Sequence, residues 1–186
     1  MVNLIKCKAC GYVTKDGKIK DVCPACGVPA KMFEPYTSLI SERRRKILML
    51  HIHPIIVHFP QSFTFTLLVL AVLSFIAPPQ INEVLNCTMH LLSFILPFVI
   101  ILAILTGLVD GKTRFRKVTT PFLKKKMIFG LSFLFTSVGI AAVALEFPLL
   151  STPVIALLTI LAIIALGFSI VLGLIGDELL EAKFPG

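Results

Sequence analysis

Four cysteines near the start of the chain have the residue type and spacing of a metal site. Cys7 and Cys10 form one C-x2-C pair, and Cys23 and Cys26 form a second pair after twelve intervening residues. Two such pairs can place four thiolates at the corners of a tetrahedron, the geometry that zinc and iron favour in sulfur sites. The spacing therefore predicts one metal ion held by all four thiolates.

Each cysteine pair is followed directly by a glycine, Gly11 or Gly27. A residue without Cβ allows a tight turn that brings backbone N–H groups toward sulfur, and such hydrogen bonds tune the potential of a bound metal. No apolar signal segment precedes the cysteines, so we expect them to stay in a reducing compartment. In a reducing compartment, paired cysteines are more often metal ligands than disulfides.

The segment CKACGY, followed after the gap by CPACGVPAKMFE, resembles the rubredoxin-like domain of rubrerythrins. The matching positions are Cys10-Gly11-Tyr12, Cys23-Pro24, Cys26, Pro29 and Phe33-Glu34, within a stretch of about 30 residues. The resemblance implies one iron held by Cys7, Cys10, Cys23 and Cys26. That iron would cycle between the ferric and ferrous states as a one-electron carrier.

Zinc is the alternative metal, because its thiolate ligands would be the same. The domain would then be a zinc ribbon, in which a redox-inert ion folds a core too small to stand alone. The aromatic side chains expected in that core are Tyr12 and Phe33. The di-iron half of rubrerythrin needs Glu and Glu-x-x-His ligands, which the hydrophobic segments lack. Di-iron peroxidase chemistry is therefore not expected.

The rest of the chain has the composition of a membrane protein. Hydrophobic residues make up 56% of the sequence and charged residues only 15%, against about 25% charged residues in soluble domains. The apolar residues form four blocks, each long enough to cross the hydrocarbon as a helix. The predicted spans are about 55–77, 88–109, 127–145 and 154–175.

These features predict a small rubredoxin-like or zinc-ribbon β domain joined to an all-α membrane bundle of four transmembrane helices. The predicted boundaries are 1–35 for the metal domain, 36–53 for a basic juxtamembrane linker and 54–186 for the bundle. The linker contains Arg43-Arg44-Arg45-Lys46. It is either a solvated charge run or an interfacial helix on anionic headgroups that uses Leu39, Ile40, Ile47 and Leu48.

Basic residues predict the orientation of the bundle. They fill the linker and the connection 110–126, whereas the connections 78–87 and 146–153 contain no Lys or Arg. By the positive-inside rule, both termini are expected to be cytoplasmic, in the cell (inner) membrane. The basic residues that give the formal charge of +8 lie beside the apolar blocks. The expected partner is therefore the lipid bilayer rather than nucleic acid. A homo-oligomer is compatible with the sequence.

Two motifs in the apolar half resemble a family of small bacterial and archaeal membrane proteins without an assigned function. The first is an HPxxVHFP signature, His53 to Pro60, and the second runs from Thr106 to Asp110. The resemblance covers residues 51–145. The family carries a His near the start of its third helix, where this chain has Lys124-Lys125-Lys126-Met127.

Polar residues in a membrane helix suggest a second site, because they are costly there. His58, Gln61, Ser62 and Thr66 share one helical face, which we expect to face the bundle interior. Pro60 is expected to kink this helix. With Asp110 at the cytoplasmic end of the second span, the predicted membrane-mouth site contains His53, His58, Gln61 and Asp110. His51, at the start of the first helix, is expected nearby.

A haem held by His58 and His90 is not expected within one chain. His90 precedes Asp110 by 20 residues, or about 30 Å of helix, so it lies near the opposite membrane face. Haem binding at separate sites, or with ligands from two chains, is left open. Cys87 lies at the outer end of the second span, where packing or intermolecular pairing is expected.

The sequence favours an electron-transfer component over a catalyst. It shows no nucleophile–base pair, no paired carboxylates and no phosphate-binding glycine loop. We predict a membrane-anchored one-electron carrier, whose redox partner is a flavoprotein, a haem protein or a quinone. One alternative is a zinc-ribbon membrane adaptor with a structural metal. Another is a small transporter or channel past His58, Gln61 and Thr66, which the scarcity of polar residues disfavours.

Overall fold

The computed structural model describes residues 4–37, 41–149 and 151–181. The chain divides into two compact units, Met1–Arg45 and Lys46–Pro185. The strands described in the chain belong to the first unit, and the four long helices belong to the second. A small β domain followed by a helical bundle is the predicted fold class, which is confirmed.

Three short antiparallel strands form the sheet of the first unit, in the order β2-β1-β3. Their bounds are β1 (Leu4–Cys7), β2 (Val13–Lys15) and β3 (Phe33–Tyr36). A 3₁₀ turn at Ala30–Met32 leads directly into β3. The register pairs Cys7 with Phe33, so the first cysteine lies at the end of the central strand.

The first unit has almost no apolar core. Cys7, Thr14 and Cys23 are its buried residues between 4 and 37. Tyr12 is 38% exposed and Phe33 is half-buried, so the expected aromatic core is wrong for Tyr12, whose ring lies at the surface. A domain that buries so little apolar area usually needs a metal or disulfides for stability.

Five α-helices follow in the described part of the chain. They are α1 (Glu42–Leu48), α2 (Ile52–Leu73), α3 (Pro79–Phe115), α4 (Pro121–Glu146) and α5 (Thr152–Glu181). Short connections make consecutive long helices antiparallel neighbours, and α2 to α5 pack in a ring that closes with α5 against α2. In the described residues, four helices are long and apolar enough to cross a membrane. These lengths and compositions are those of a multi-pass membrane protein.

The helices do not begin and end where hydropathy predicts. α3 has 37 residues, about 56 Å of helix, whereas the hydrocarbon is about 30 Å thick. It therefore extends beyond the apolar layer at its ends, and the connections predicted at 78–87 and 110–126 are largely helical. Pro79 at the first position of α3 suits a helix start. In the linker, α1 forms, while Leu39 and Ile40 lie outside the described residues.

The buried face of α2 differs from the expected polar stripe. Its buried residues are Pro60, Thr64, Leu67 and Ala71, and the hydroxyl of Thr64 donates to the Pro60 carbonyl at 2.7 Å. A hydroxyl satisfied within its own helix is cheap to bury. Ser62 and Thr66 are exposed, so the expectation of an inward stripe is wrong for these two residues. The helix continues through Pro60.

Candidate functional site

The four predicted cysteine ligands converge in the first unit. Their sulfur atoms all lie within 4.8 Å of one another. The Cys7–Cys26 and Cys10–Cys23 sulfur pairs are each 3.8 Å apart, so each close pair joins the two loops. Four thiolates at about 2.3 Å from one zinc ion in tetrahedral geometry are about 3.8 Å apart, which is the separation of these two pairs. The quartet fits one tetrahedral metal ion.

The two cysteine loops have the same backbone turn. Gly11 has φ +78° and Gly27 has φ +76°, values that favour glycine because a Cβ is strained there. The Gly11 amide donates to the Cys7 carbonyl, and the Gly27 amide donates to the Cys23 carbonyl, each at 2.9 Å. These turns fold each pair so that both of its sulfurs face the same point.

Backbone amides also stabilise the thiolate of Cys23. Burial alone would raise the pKa of this thiol, but N–H groups of Cys26 and Ala25 donate to the sulfur and lower its pKa to about 7. For Cys26, an N–H bond from Val28 is outweighed by the neighbouring Cys10 thiol and by burial, which raise the pKa to about 12. The quartet therefore carries all four negative charges only when a cation neutralises them.

The ligands differ in their access to the surface. Cys7 and Cys23 are each 1% exposed, whereas Cys10 and Cys26 are exposed. A metal in this cage would be covered on one side by buried sulfurs. On the other side, the thiolates of Cys10 and Cys26 would lie at the surface of the domain.

In the second unit, His53 is the centre of a polar contact between three helices. Its Nδ1 lies 3.3 Å from the Thr106 hydroxyl, and its Nε2 lies 3.1 Å from Lys126 Nζ. A Cβ built on Gly107 would lie 2.9 Å from His53 Cε1, so the imidazole needs a glycine there. The two motifs of the apolar half thus meet at His53, Thr106 and Gly107.

These contacts fix the protonation of the imidazole. A lysine ammonium can only donate, so Nε2 accepts from Lys126. The Thr106 hydroxyl donates to the Leu102 carbonyl at 2.9 Å, and its oxygen accepts from His53. Nδ1 therefore carries the proton, and the lone pair on Nε2 accepts from Lys126. With Nε2 occupied, His53 is not free to ligate a haem or a metal.

One cavity of about 500 Å³ lies between the four long helices. It is lined by all the predicted membrane-mouth residues, His53, His58, Gln61 and Asp110. Asp110 pairs with Arg114 of the same helix at 3.5 Å, and Arg114 is 5% exposed. The role of these residues stays a prediction, although the fold brings them to one place.

Sequence reasoning did not assign the basic residues Arg114 and Lys126 to this cavity lining. Both counted only as basic residues that set the topology, because a charge run carries no information on depth. The signal that could have found Lys126 is its place near the start of α4, where the resembling family carries a His.

The remaining histidines do not join the cluster. His51 is exposed, with φ +50°, and is not among the residues that line the cavity. His90 lies 17 residues before Gly107, which packs on His53, or about 26 Å along α3. His58 is five residues past His53, about 8 Å along the antiparallel α2, so roughly 18 Å of depth separates His58 from His90. A haem between them within one chain is excluded. Cys87 is exposed.

Comparison with known proteins identifies the first unit. A family model described as "Rubrerythrin, rubredoxin-like domain" matches residues 6–34, a segment that contains all four cysteine ligands and both turn glycines. No curated protein and no solved structure matches the chain. The resemblance of the helical part to the HPxxVHFP family stays a prediction. Residues 6–34 form a rubredoxin-like domain of the rubrerythrin type.

Proposed function

We propose that this protein is a membrane-anchored one-electron carrier whose rubredoxin-like domain holds a single iron ion. The observation that supports it most is the convergence of four cysteine sulfurs within 4.8 Å inside the matched segment. An iron ion bound by four thiolates supplies one-electron exchange between its ferric and ferrous states. The chain provides the four thiolate ligands, excludes water from one side of the metal and adjusts its reduction potential.

The cysteines divide this work by their exposure. The buried sulfurs of Cys7 and Cys23 keep water from one side of the cage. The N–H groups of Ala25 and Cys26 that donate to Cys23 stabilise negative charge on sulfur, which favours the reduced state of the site. The exposed Cys10 and Cys26 offer the surface through which a partner exchanges electrons.

The proposal includes an orientation and a class of partner. Basic residues in the linker and between α3 and α4 support an orientation with both termini in the cytoplasm, by the positive-inside rule. The metal domain is then tethered to the inner face of the cell membrane. Its redox partner is a cytoplasmic flavoprotein, a haem protein or a membrane quinone.

Metal analysis of the full-length protein tests the proposal. The chain is purified from cells supplied with both iron and zinc, and its metals are measured together with absorption spectra before and after reduction. We expect one iron per chain, a visible absorption that is lost on reduction, and the loss of both in Cys7→Ser. Cys87→Ser, which changes a cysteine outside the quartet, is the matched control and should keep both.

One zinc per chain, with no absorption that responds to reduction, would contradict the proposal. The protein would then be a zinc-ribbon adaptor, in which the metal only folds the domain.

A further inference from the structure

The cavity in the four-helix bundle has the character of a ligand site. Its volume is about 500 Å³, within the range of pockets for small molecules. Most of its walls are apolar, with contributions such as Val57, Ile104 and Leu172. A few polar groups interrupt them, as in sites where polar contacts orient an otherwise apolar ligand.

Ser169 is the most informative of these polar groups. It is 3% exposed and lines the cavity, yet its hydroxyl makes no hydrogen bond to any residue that the structure describes. Four threonine hydroxyls in the bundle instead donate to the carbonyl four residues earlier; they belong to Thr64, Thr106, Thr136 and Thr159. The Ser169 oxygen is not among the buried side-chain atoms without a partner, so the hydroxyl is open to the cavity, where a ligand can bond to it.

Two further donors line the same space. The side-chain amide of Gln61 makes no hydrogen bond within the described part of the chain, and its Nε2 lies 3.4 Å from a Cβ position built on Gly173. The ammonium of Lys126 has three hydrogens and one described hydrogen bond, to His53. The cavity therefore offers hydrogen-bond donors to an oxygen acceptor.

The charges in the lining favour a neutral ligand. Lys126 and Arg114 contribute two positive charges, Asp110 and Asp177 contribute two negative charges, and the contacts of His53 make its imidazole neutral. The formal sum is zero, so a phosphate or carboxylate headgroup would gain no net attraction here. It would still lose its hydration, which is costly in an apolar site.

The lining also reaches the outer surface of the bundle. Leu108, Met127 and Leu131 line the cavity and are exposed. In a bilayer, this apolar surface faces hydrocarbon, so a ligand with an apolar tail can lie with its head inside and its tail among the lipids.

We propose that this cavity binds the ring of a lipid-soluble quinone or quinol. A quinone is neutral and flat, carries carbonyl acceptors for Ser169, Gln61 and Lys126, and has an apolar tail. The choice of a redox-active ligand rests on the proposed function, but the binding itself does not require the metal domain to hold iron.

Binding is tested with the full-length protein in phosphatidylcholine nanodiscs, loaded with zinc so that the metal cannot change oxidation state. Decyl-ubiquinone and menaquinone-2 are titrated by calorimetry. We expect saturable binding of at least one of them at one site per chain. Ser169→Ala loses one neutral hydrogen bond and should bind the quinone about 3- to 10-fold more weakly. Ser169→Leu fills the cavity and should abolish quinone binding. Thr66→Ala, an exposed change outside the lining, should bind like the wild type.

Absence of saturable quinone binding, or unchanged affinity in Ser169→Leu, would overturn the proposal. Saturable binding of oleate or phosphatidylglycerol instead of a quinone would overturn it as well. If Ser169→Leu does not fold, Gln61→Leu provides the same comparison. Its affinity for the quinone should be about 3- to 10-fold lower than that of the wild type. An unchanged affinity in Gln61→Leu would overturn the proposal. A protein that natively holds zinc but binds quinone contradicts only the electron-carrier function, whereas an iron protein that binds no quinone contradicts only this inference.

Discussion

His53 Nε2 accepts a hydrogen bond from Lys126 Nζ at 3.1 Å, which joins α2 to α4. The opposite nitrogen of the same ring donates to Thr106 of α3 at 3.3 Å. One imidazole thus connects three of the four long helices. Hydrogen bonds are stronger in an apolar interior than in water, so this contact should fix how the helices align.

His53→Ala should destabilise the bundle by about 1–3 kcal/mol, because it leaves the Lys126 ammonium without its acceptor in a mainly apolar cavity. The loss is measured by unfolding the full-length protein in detergent and following its helical circular dichroism. His51→Ala is the matched control, since His51 is exposed, and should change stability by no more than about 0.5 kcal/mol. Equal effects of the two substitutions would argue against a structural contact at His53.

Gly107→Ala should also destabilise the bundle, by about 1–3 kcal/mol. Its methyl group would lie 2.9 Å from His53 Cε1, so the imidazole must move away from Thr106. Gly139→Ala is the control within a helix, because nothing lies within 4 Å of its Cβ position. That substitution should be neutral or stabilising, since alanine favours helix. The stability of both variants is measured by unfolding in detergent. If Gly107→Ala is as stable as Gly139→Ala, the close packing of Gly107 against His53 is contradicted.

Removing the metal should unfold the N-terminal unit and leave the helices intact. The reason is that residues 4–37 bury little besides Cys7, Thr14 and Cys23, so metal binding supplies much of the folding free energy. Hydrogen exchange of the whole protein, with and without a chelator, should show loss of protection in β1 to β3 only. Retained protection in the strands after complete metal removal would show that the sheet is stable alone.

Metal affinity should fall as the pH is lowered. The metal-free N-terminal unit is expected to be unfolded, so its cysteine thiols have their ordinary pKa of about 8.5 and are mostly protonated at neutral pH. Metal binding must displace these protons, and folding of the cage opposes the loss at Cys26, whose pKa is raised to about 12 there. Competition with a chelator of known affinity should therefore show an affinity that falls continuously as the pH is lowered below about 8.5. A pH-independent affinity would be incompatible with thiolate ligation.

The metal centre follows almost entirely from sequence, because two C-x2-C pairs with glycines after them leave few ways to arrange four sulfurs. The existence of four spans follows from hydropathy for a similar reason. Their ends do not, since hydropathy reports the thickness of the apolar layer and not where a helix stops. Pro79 and Phe115, the ends of α3, both lie well outside the predicted span.

The cavity is less accessible to sequence reasoning. A helical wheel groups His58 with Ser62 and Thr66, but it cannot show which face of α2 meets its neighbours. Burial instead follows Thr64, whose hydroxyl is satisfied within the helix. The contact of Lys126 with His53 could not be predicted for a different reason. The two residues are 73 positions apart in the sequence, and a basic run near a membrane is ordinarily solvated.

The most direct test of the electron-carrier account is electron paramagnetic resonance of the full-length oxidised protein, combined with a coulometric titration. The account predicts a high-spin ferric signal that disappears after uptake of one electron per chain, is absent from Cys7→Ser and is retained in Cys87→Ser. A protein that holds one zinc per chain, gives no such signal and takes up no electron would contradict it.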